Sequence, residues 1–276
     1  MTRRRAVAAV ALACACASCA PPRVKLPASA GAPASDGAAV LAEATAACRD
    51  LRSITAEIGV AGSLQGRKVR GRLIAGFAQP ASARIEAAAP FGPPLFIFVA
   101  SGGDGTLLLP RDDRFVDKAP PAALLDAVAG VPFAPADLMA IVNGCATPAR
   151  DVIAATEPDP DWRRVRVAQD RELFLRRAAG VWQLVAMTAG GREPVQVEYT
   201  DVVAGRPQSI RLIGPSSSGA PARYDLRLSL SQIEVNVALE ADAFRVQIPR
   251  SATPISVDEL RRSGPLGAGD QANRAR

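Results

Sequence analysis

Residues 53–89 decide the fold, and they read SITAEIGVAGSLQGRKVRGRLIAGFAQPASARIEAAA. Apolar side chains occupy every second position through most of this stretch, as at Ile54, Ile58, Leu73, Phe77 and Ile85. Alternation with a period of two puts all the apolar side chains of a strand on one face of a sheet. The stretch therefore predicts three consecutive antiparallel strands, each with one face turned to a core.

The same strand pattern continues on both sides of a short helical region and reaches residue 248. The run at 95–99 differs, because it is apolar on both faces. Helical spacing and Pro-to-Gly boundaries predict three helices, at 38–51, 121–129 and 135–143. The predicted fold class is mainly β, with about eleven strands of about five or six residues each and about three helices. A single antiparallel sheet of this size must curl, and its apolar concave face must be covered.

The N-terminus has the features of a secretory signal. Arg3, Arg4 and Arg5 precede an apolar run from 6 to 17 that is too short to span a bilayer. Two small residues then precede Cys19, as in the lipobox of bacterial lipoproteins. Residues 1–18 are therefore predicted to be a signal peptide, and Cys19 the lipidated residue, with Cys14 and Cys16 as competing positions.

The rest of the chain divides by composition. Residues 19–38 are rich in Pro, Gly and Ala and predict a flexible tether. Residues 39–250 have the length of one all-β domain, with two domains as the alternative. Residues 251–276 form a C-terminal extension that is predicted to be partly disordered. No Asp follows Cys19, which favours the outer membrane over the inner one as the site of anchoring.

The composition excludes several function classes. The chain has no histidine, so Ser-His-Asp catalysis, Cys-His catalysis and His-bearing metal sites are excluded. Three of the 33 basic residues lie in the signal peptide, and without them the basic residues exceed the 27 acidic ones by only three. These charges are dispersed between apolar positions, which argues against nucleic acid as a partner. We therefore expect that the protein is not an enzyme and that it binds no cofactor or metal.

Two cysteines remain in the predicted mature domain besides Cys19. In an oxidising compartment Cys48 and Cys145 can form a disulfide. They can equally remain two buried thiols that behave as small apolar residues. Their spacing along the chain does not decide between these alternatives.

Residues 87–144 carry a resemblance to a known family. Pro90-Phe91-Gly92 is followed by an apolar strand, a Gly-rich turn, two short strands and a helix, and then by Gly130-Val131-Pro132-Phe133-Ala134-Pro135. This order resembles the outer-membrane lipoprotein receptor family of the Lol sorting system, LolB. That family has a Pro-Leu-Gly loop after its third strand and a Gly-x-Pro-x-Pro segment before a later helix. Here Phe91 replaces the Leu, and one residue is inserted before the second Pro.

The resemblance implies a half-open antiparallel barrel, plugged by helices, that holds acyl chains in an apolar hollow. It implies a lipid-anchored outer-membrane protein that receives lipoproteins from a periplasmic carrier, and it makes Phe91 the membrane-insertion residue. The alternative for Phe91 is a ring folded back onto the core. Ten residues are the candidates for lining the hollow: Ile58, Val60, Leu73, Phe77, Ile85, Leu95, Ile97, Val99, Leu226 and Leu228. The alternative function is a structural or assembly lipoprotein that binds a protein partner.

Overall fold

The computed structural model describes residues 23–145, 152–191, 193–216 and 221–263. The predicted signal peptide 1–18 and the predicted lipidation site Cys19 lie outside the described residues. The end of the C-terminal extension, from 264 onward, also lies outside them.

The described chain is mainly β-sheet with a few short helices. Its strands are β1 Ala32–Pro33, β2 Ser53–Leu64, β3 Arg67–Ala78, β4 Ser82–Ala88, β5 Phe96–Ser101, β6 Asp104–Leu109, β7 Arg114–Ala119, β8 Val152–Asp159, β9 Trp162–Val167, β10 Arg171–Ala178, β11 Val181–Ala189, β12 Val195–Val203, β13 Arg206–Ile213, β14 Tyr224–Val235 and β15 Thr253–Pro254. Its helices are α1 Gly37–Ala44, α2 Pro121–Ala129, α3 Pro135–Asn143 and α4 Val257–Ser263, with 3-10 turns at Ala46–Cys48 and Ala241–Phe244.

All fifteen described strands belong to one sheet that does not close. The order is β1-β8-β9-β10-β11-β12-β13-β14-β2-β3-β4-β5-β6-β7-β15, and every pair is antiparallel except β15 with β7. Both edges are two-residue strands, which offer little backbone for pairing with another chain. The predicted fold class, a mainly β, unclosed sheet with helices on its concave face, is confirmed.

The alternation at 53–89 produces the register of β2, β3 and β4. Ile54 lies opposite Phe77, which lies opposite Ala83, and all three side chains are buried. Directly opposite residues of an antiparallel pair share a face, so this register defines the concave, apolar side of the sheet. β2 and β3 are joined by the two-residue turn Gln65-Gly66, in which both φ angles are positive, at 48° and 78°.

Three short helices cover the concave face. α1 contacts β8 to β11, α2 contacts β6 and β7, and α3 contacts β13 on one side and β3 and β4 on the other. The predicted spans of α2 and α3 agree with the structure, and each ends at a glycine with positive φ. The first helix is shorter than the predicted 38–51. It ends at Ala44, and the hydroxyl and the backbone N–H of Thr45 both donate to the Leu41 carbonyl, at 2.7 Å and 3.0 Å.

Two segments whose structure differs from the prediction lie against the outer face of the sheet. Residues 23–29, within the predicted flexible tether, are held there by Arg164, whose Nη2 donates to the carbonyls of Pro27 and Ser29 at 3.0 Å, and the chain then joins the sheet edge as β1. Residues 236–250, predicted to end in a strand, contain no strand. Their 3-10 turn contacts β4 and β5, and Arg84 Nη1 donates to the Ala243 carbonyl at 3.1 Å.

The first part of the C-terminal extension is ordered on the sheet edge. β15 pairs with β7, and α4 packs on α2 with Leu260 only 2% exposed. Arg261 at the same helix forms an ion pair with Asp126 of α2 at 3.4 Å. These contacts shield the last full strand of the sheet.

Candidate functional site

Seven of the ten candidate hollow residues share the concave face. They belong to one continuous apolar cluster that also contains the inner residues of α1, α2 and α3: Ile58, Val60, Leu73, Phe77, Ile85, Leu226 and Leu228. The register brings them together, since Leu226 and Leu228 lie opposite Gly62 and Val60 in the pairing of β14 with β2. Val60 and Leu73 are only half-buried, so they mark the border where this face meets solvent.

Leu95, Ile97 and Val99 are not on that face, which corrects their assignment. Ile85 of β4 lies opposite Phe98 of β5, so Phe98 faces the concave side and its sequence neighbours Ile97 and Val99 face outward. Leu95 precedes β5 and is 36% exposed. The prediction failed because residues 95–99 are apolar on both faces, so that alternation could not select a side. Val99 is nevertheless buried, on the side where residues 236–250 cross the sheet.

Four residues that line the concave face were not predicted from the sequence. Phe96 and Phe98 of β5 face it, Leu107 lies opposite Phe98, and Val116 lies opposite Leu107. All four are buried at 4% exposure or less. Each lies in a short strand in which the period of two has too few repeats to show. Their face follows only from the pairing of Phe98 with Ile85, which no local sequence signal shows.

α3 is placed across the middle of this face. β14 and β2 lie between β13 and β3 in the sheet, so α3 bridges the two strands that carry four of the seven candidate residues on the concave face. Its side chains Met139, Ile141 and Val142 belong to the same cluster as Ile58 and Leu228. The concave face is therefore filled by side chains of a helix nine residues long, not by a second sheet.

A disulfide fixes one end of this helix. Cys145, directly after α3, is joined to Cys48 in the 3-10 turn after α1, with a Cα–Cα distance of 5.8 Å. The two helices that cover opposite halves of the sheet are thus covalently linked. The disulfide holds the C-terminal end of α3, and Asp137 in its first turn forms an ion pair with Arg171 of β10 at 3.2 Å.

The interior of the concave face is strongly apolar. The Tyr199 hydroxyl is fully buried and has no hydrogen-bond partner among the described residues. Its burial raises the pKa of Tyr199, and burial likewise raises the pKa of Tyr224 to about 12. Both phenols therefore stay neutral at physiological pH and behave as apolar lining.

The loop that carries Phe91 projects from one end of the sheet. Phe91 is 88% exposed, which agrees with a protruding ring and not with one folded onto the core. Arg111, in the turn between β6 and β7, holds the loop from the side. Its Nη2 donates to the Phe91 carbonyl at 2.8 Å and its Nε to the Pro93 carbonyl at 3.2 Å. An exposed aromatic ring on a fixed loop is unfavourable in water and suits an apolar partner.

The described residues contain no candidate metal site. No group of three or more Cys, Asp or Glu side chains in this part of the chain could hold a metal ion. In the same residues, no helix is both long and apolar enough to cross a membrane.

Solved structures that are similar to this chain have low sequence identity to it. No protein-family model and no curated protein matches the sequence. A LolA superfamily protein from Nitrosomonas europaea has a similar structure, with a TM-score of 0.51 and 12% identity over 76% of this chain and 97% of that chain. A DUF1329 family protein from Desulfovibrio piger gives a TM-score of 0.49 with 9% identity over 78% and 98% of the two chains. The Mycobacterium tuberculosis lipoprotein LppX gives 0.32 with 12% identity over 74% and 98%.

The first of these similarities shows that this chain has a LolA-type fold. The resemblance noted in residues 87–144 is confirmed as a resemblance of fold.

Proposed function

We propose that the protein is a lipid-anchored outer-membrane lipoprotein that binds acyl chains on its concave face and receives or inserts lipoproteins, or a related lipid, at that membrane. One observation carries the proposal. The apolar side of a wide, open sheet is covered by short helices, and an exposed phenylalanine projects from the end of the same sheet. A binding protein, not an enzyme, is the reading that this arrangement favours.

Acyl chains would bind where α3 now packs. A chain that displaces α3 from β14 and β2 would contact Ile58, Leu226 and Leu228, and it would enter past the half-buried Val60 and Leu73. The exchange replaces helix side chains by methylene groups, so the apolar surface stays covered. Each buried methylene contributes roughly 0.8 kcal/mol, which makes a long acyl chain a strong competitor.

Phe91 would provide the contact with the membrane. Its loop is held by Arg111 and stiffened by the prolines around it, so little order is lost when the ring enters lipid. The anchor itself would be the acylated Cys19 after removal of residues 1–18, since two or more acyl chains hold a protein stably where one does not. A periplasmic carrier is the proposed source of the lipoprotein cargo.

Binding of a fluorescent fatty-acyl probe should strengthen with chain length. We expect the lipid-free mature chain, residues 20–276, which keeps every described contact, to gain about threefold to fourfold in affinity per added methylene. Leu73→Ser should weaken binding of the longest probe by about tenfold or more. The matched control is Ile74→Ser, because Ile74 is the next residue on β3 but is 52% exposed and faces outward.

Fluorescence titration measures the affinity for each probe, and thermal melting checks that each variant is folded. Affinity that does not change with chain length, or equal effects of the two serine variants in correctly folded protein, would contradict acyl-chain binding on the concave face.

A further inference from the structure

The hairpin of β2 and β3 carries an exposed cluster of positive charge. Arg67, Lys68, Arg70 and Arg72 are all exposed, and the sequence has no acidic residue between Glu57 and Glu86. Lys68, Arg70 and Arg72 alternate along β3 and therefore lie on its outer face. The concave face on the other side of the sheet is the proposed acyl-chain site.

The register extends this charge across the neighbouring strands. Arg70 lies opposite Ala61, Ala61 opposite Arg227, and Arg227 opposite Arg211. A groove of about 560 Å³ follows these residues. Its floor is made of small residues, among them Gly59, Gly71 and Ser229. We call this surface, Lys68, Arg70, Arg72, Arg211 and Arg227 with the groove between them, the cationic groove.

The charge in the cationic groove is only partly compensated by the protein. Arg211 binds Asp225 through two hydrogen bonds of 2.8 Å, which hold the pKa of that carboxyl below its usual range, and Arg72 lies 3.6 Å from Glu57. Lys68, Arg70 and Arg227 have no carboxylate within 4 Å among the described residues. Arg227 also lies directly opposite Arg211, and like charges in that position repel.

The remaining acidic residue at the groove, Glu198, lies opposite Arg211 in the pairing of β12 with β13, and its charge stabilises that arginine. Glu198 is 3% exposed and accepts hydrogen bonds from the Val24 amide at 3.3 Å and from Gln196 Nε2 at 2.7 Å. An anion of a different molecule would therefore relieve the repulsion between the arginines. The groove has the volume of a small-ligand site, and it is open to solvent along the exposed Arg70.

The cationic groove and Phe91 lie toward the same end of the sheet. Alternate strands of an antiparallel sheet run in the same direction, so the turns after β2, β4 and β6 are at one end. These turns carry the basic hairpin, the Phe91 loop and Arg111, respectively. Arg72 lies opposite Ala88, the last residue of β4 before the Phe91 loop.

We propose that the cationic groove binds the phosphodiester headgroups of an anionic phospholipid bilayer, next to the point where Phe91 enters it. This inference rests on the proposed membrane role of Phe91 and adds the lipid class that the protein selects. Arginine pairs well with phosphate oxygens, and several basic side chains near a surface attract it additively. A protein carrier would satisfy the charges but would leave the adjacent exposed ring unexplained.

The test is vesicle binding by the lipid-free mature chain, residues 20–276. We expect tighter binding to phosphatidylcholine vesicles that contain phosphatidylglycerol than to phosphatidylcholine alone, and loss of this preference at high salt. Arg70→Gln with Arg227→Gln should weaken binding to the anionic vesicles by about 25-fold, at about fivefold per charge. Arg70→Lys with Arg227→Lys keeps the charge and should retain most of the affinity.

The matched control is Arg49→Gln with Arg52→Gln. Both residues are exposed, both lie at the opposite end of β2, and the change in net charge is the same. Equal losses in the control and in the groove variant would overturn the proposal, as would equal binding to both vesicle types. Binding to neither vesicle type would instead reject the membrane role of Phe91. Melting curves confirm that each variant is folded.

Discussion

Replacing both Cys48 and Cys145 by Ala is expected to lower the free energy of unfolding by about 4–5 kcal/mol. The disulfide closes a chain segment of 97 residues, and cross-linking a loop of this length removes a large part of the entropy of the unfolded chain. Globular domains typically have a free energy of unfolding of about 5–15 kcal/mol. A loss of this size would therefore remove a large part of the stability. Urea denaturation followed by circular dichroism measures it.

A reducing agent supplies the control for this prediction. It should destabilise the wild-type protein by a similar amount and leave the double-alanine variant unchanged. Because Cys145 follows α3, the variant should also bind acyl probes faster, since the C-terminal end of the helix is released. A loss below about 1 kcal/mol would show that the link between the two covering helices contributes little to the fold.

Phe91→Glu is expected to remove membrane insertion while leaving the fold intact. The ring is 88% exposed, and a surface substitution normally shifts stability by within about 0.5 kcal/mol. A carboxylate at the tip of the loop cannot enter the apolar part of a bilayer without a large desolvation cost. Vesicle co-sedimentation should therefore fall to background for neutral lipid and to the residual electrostatic binding of the cationic groove for anionic lipid, with a melting temperature close to wild type.

Phe98→Glu is the matched control, because it is the same substitution at a phenylalanine with 0% exposure. Burying an unpaired carboxylate costs several kcal/mol, and this variant should fail to fold or should melt far below wild type. A Phe91→Glu protein that melts as low as the Phe98 variant would place the ring in the core. One that melts normally and still inserts into vesicles would remove Phe91 from the membrane contact.

The strands with long alternation could be predicted from the sequence, and so could the concave face they form. Ile58, Leu73 and Ile85 were assigned correctly because the period of two repeats several times around them. β8 was missed because its residues are half-buried on both faces and show no alternation. β5 was recognised as a strand, but its face depends on pairing with Ile85, which lies in another strand.

The parts of the candidate site that depend on distant contacts could not be predicted. Arg111 supports the Phe91 loop from 20 residues away, and nothing in the local sequence marks it for that task. Arg227 joins the cationic groove only through the pairing of β14 with β2. The segments 23–29 and 236–250 lie on the outer face because Arg164 and Arg84 bind their carbonyl groups, and no local pattern in either segment shows those contacts.

Native mass spectrometry of ligands retained by the purified protein tests the central proposal most directly. The chain of residues 20–276, exported to the periplasm behind a cleavable signal and purified without detergent, should carry added masses that fragment to fatty acyl chains. The Leu73→Ser variant should retain less of this material, and Ile74→Ser as much as wild type. A spectrum that shows only the bare chain, or the chain with a protein partner and without lipid, would contradict acyl-chain binding on the concave face.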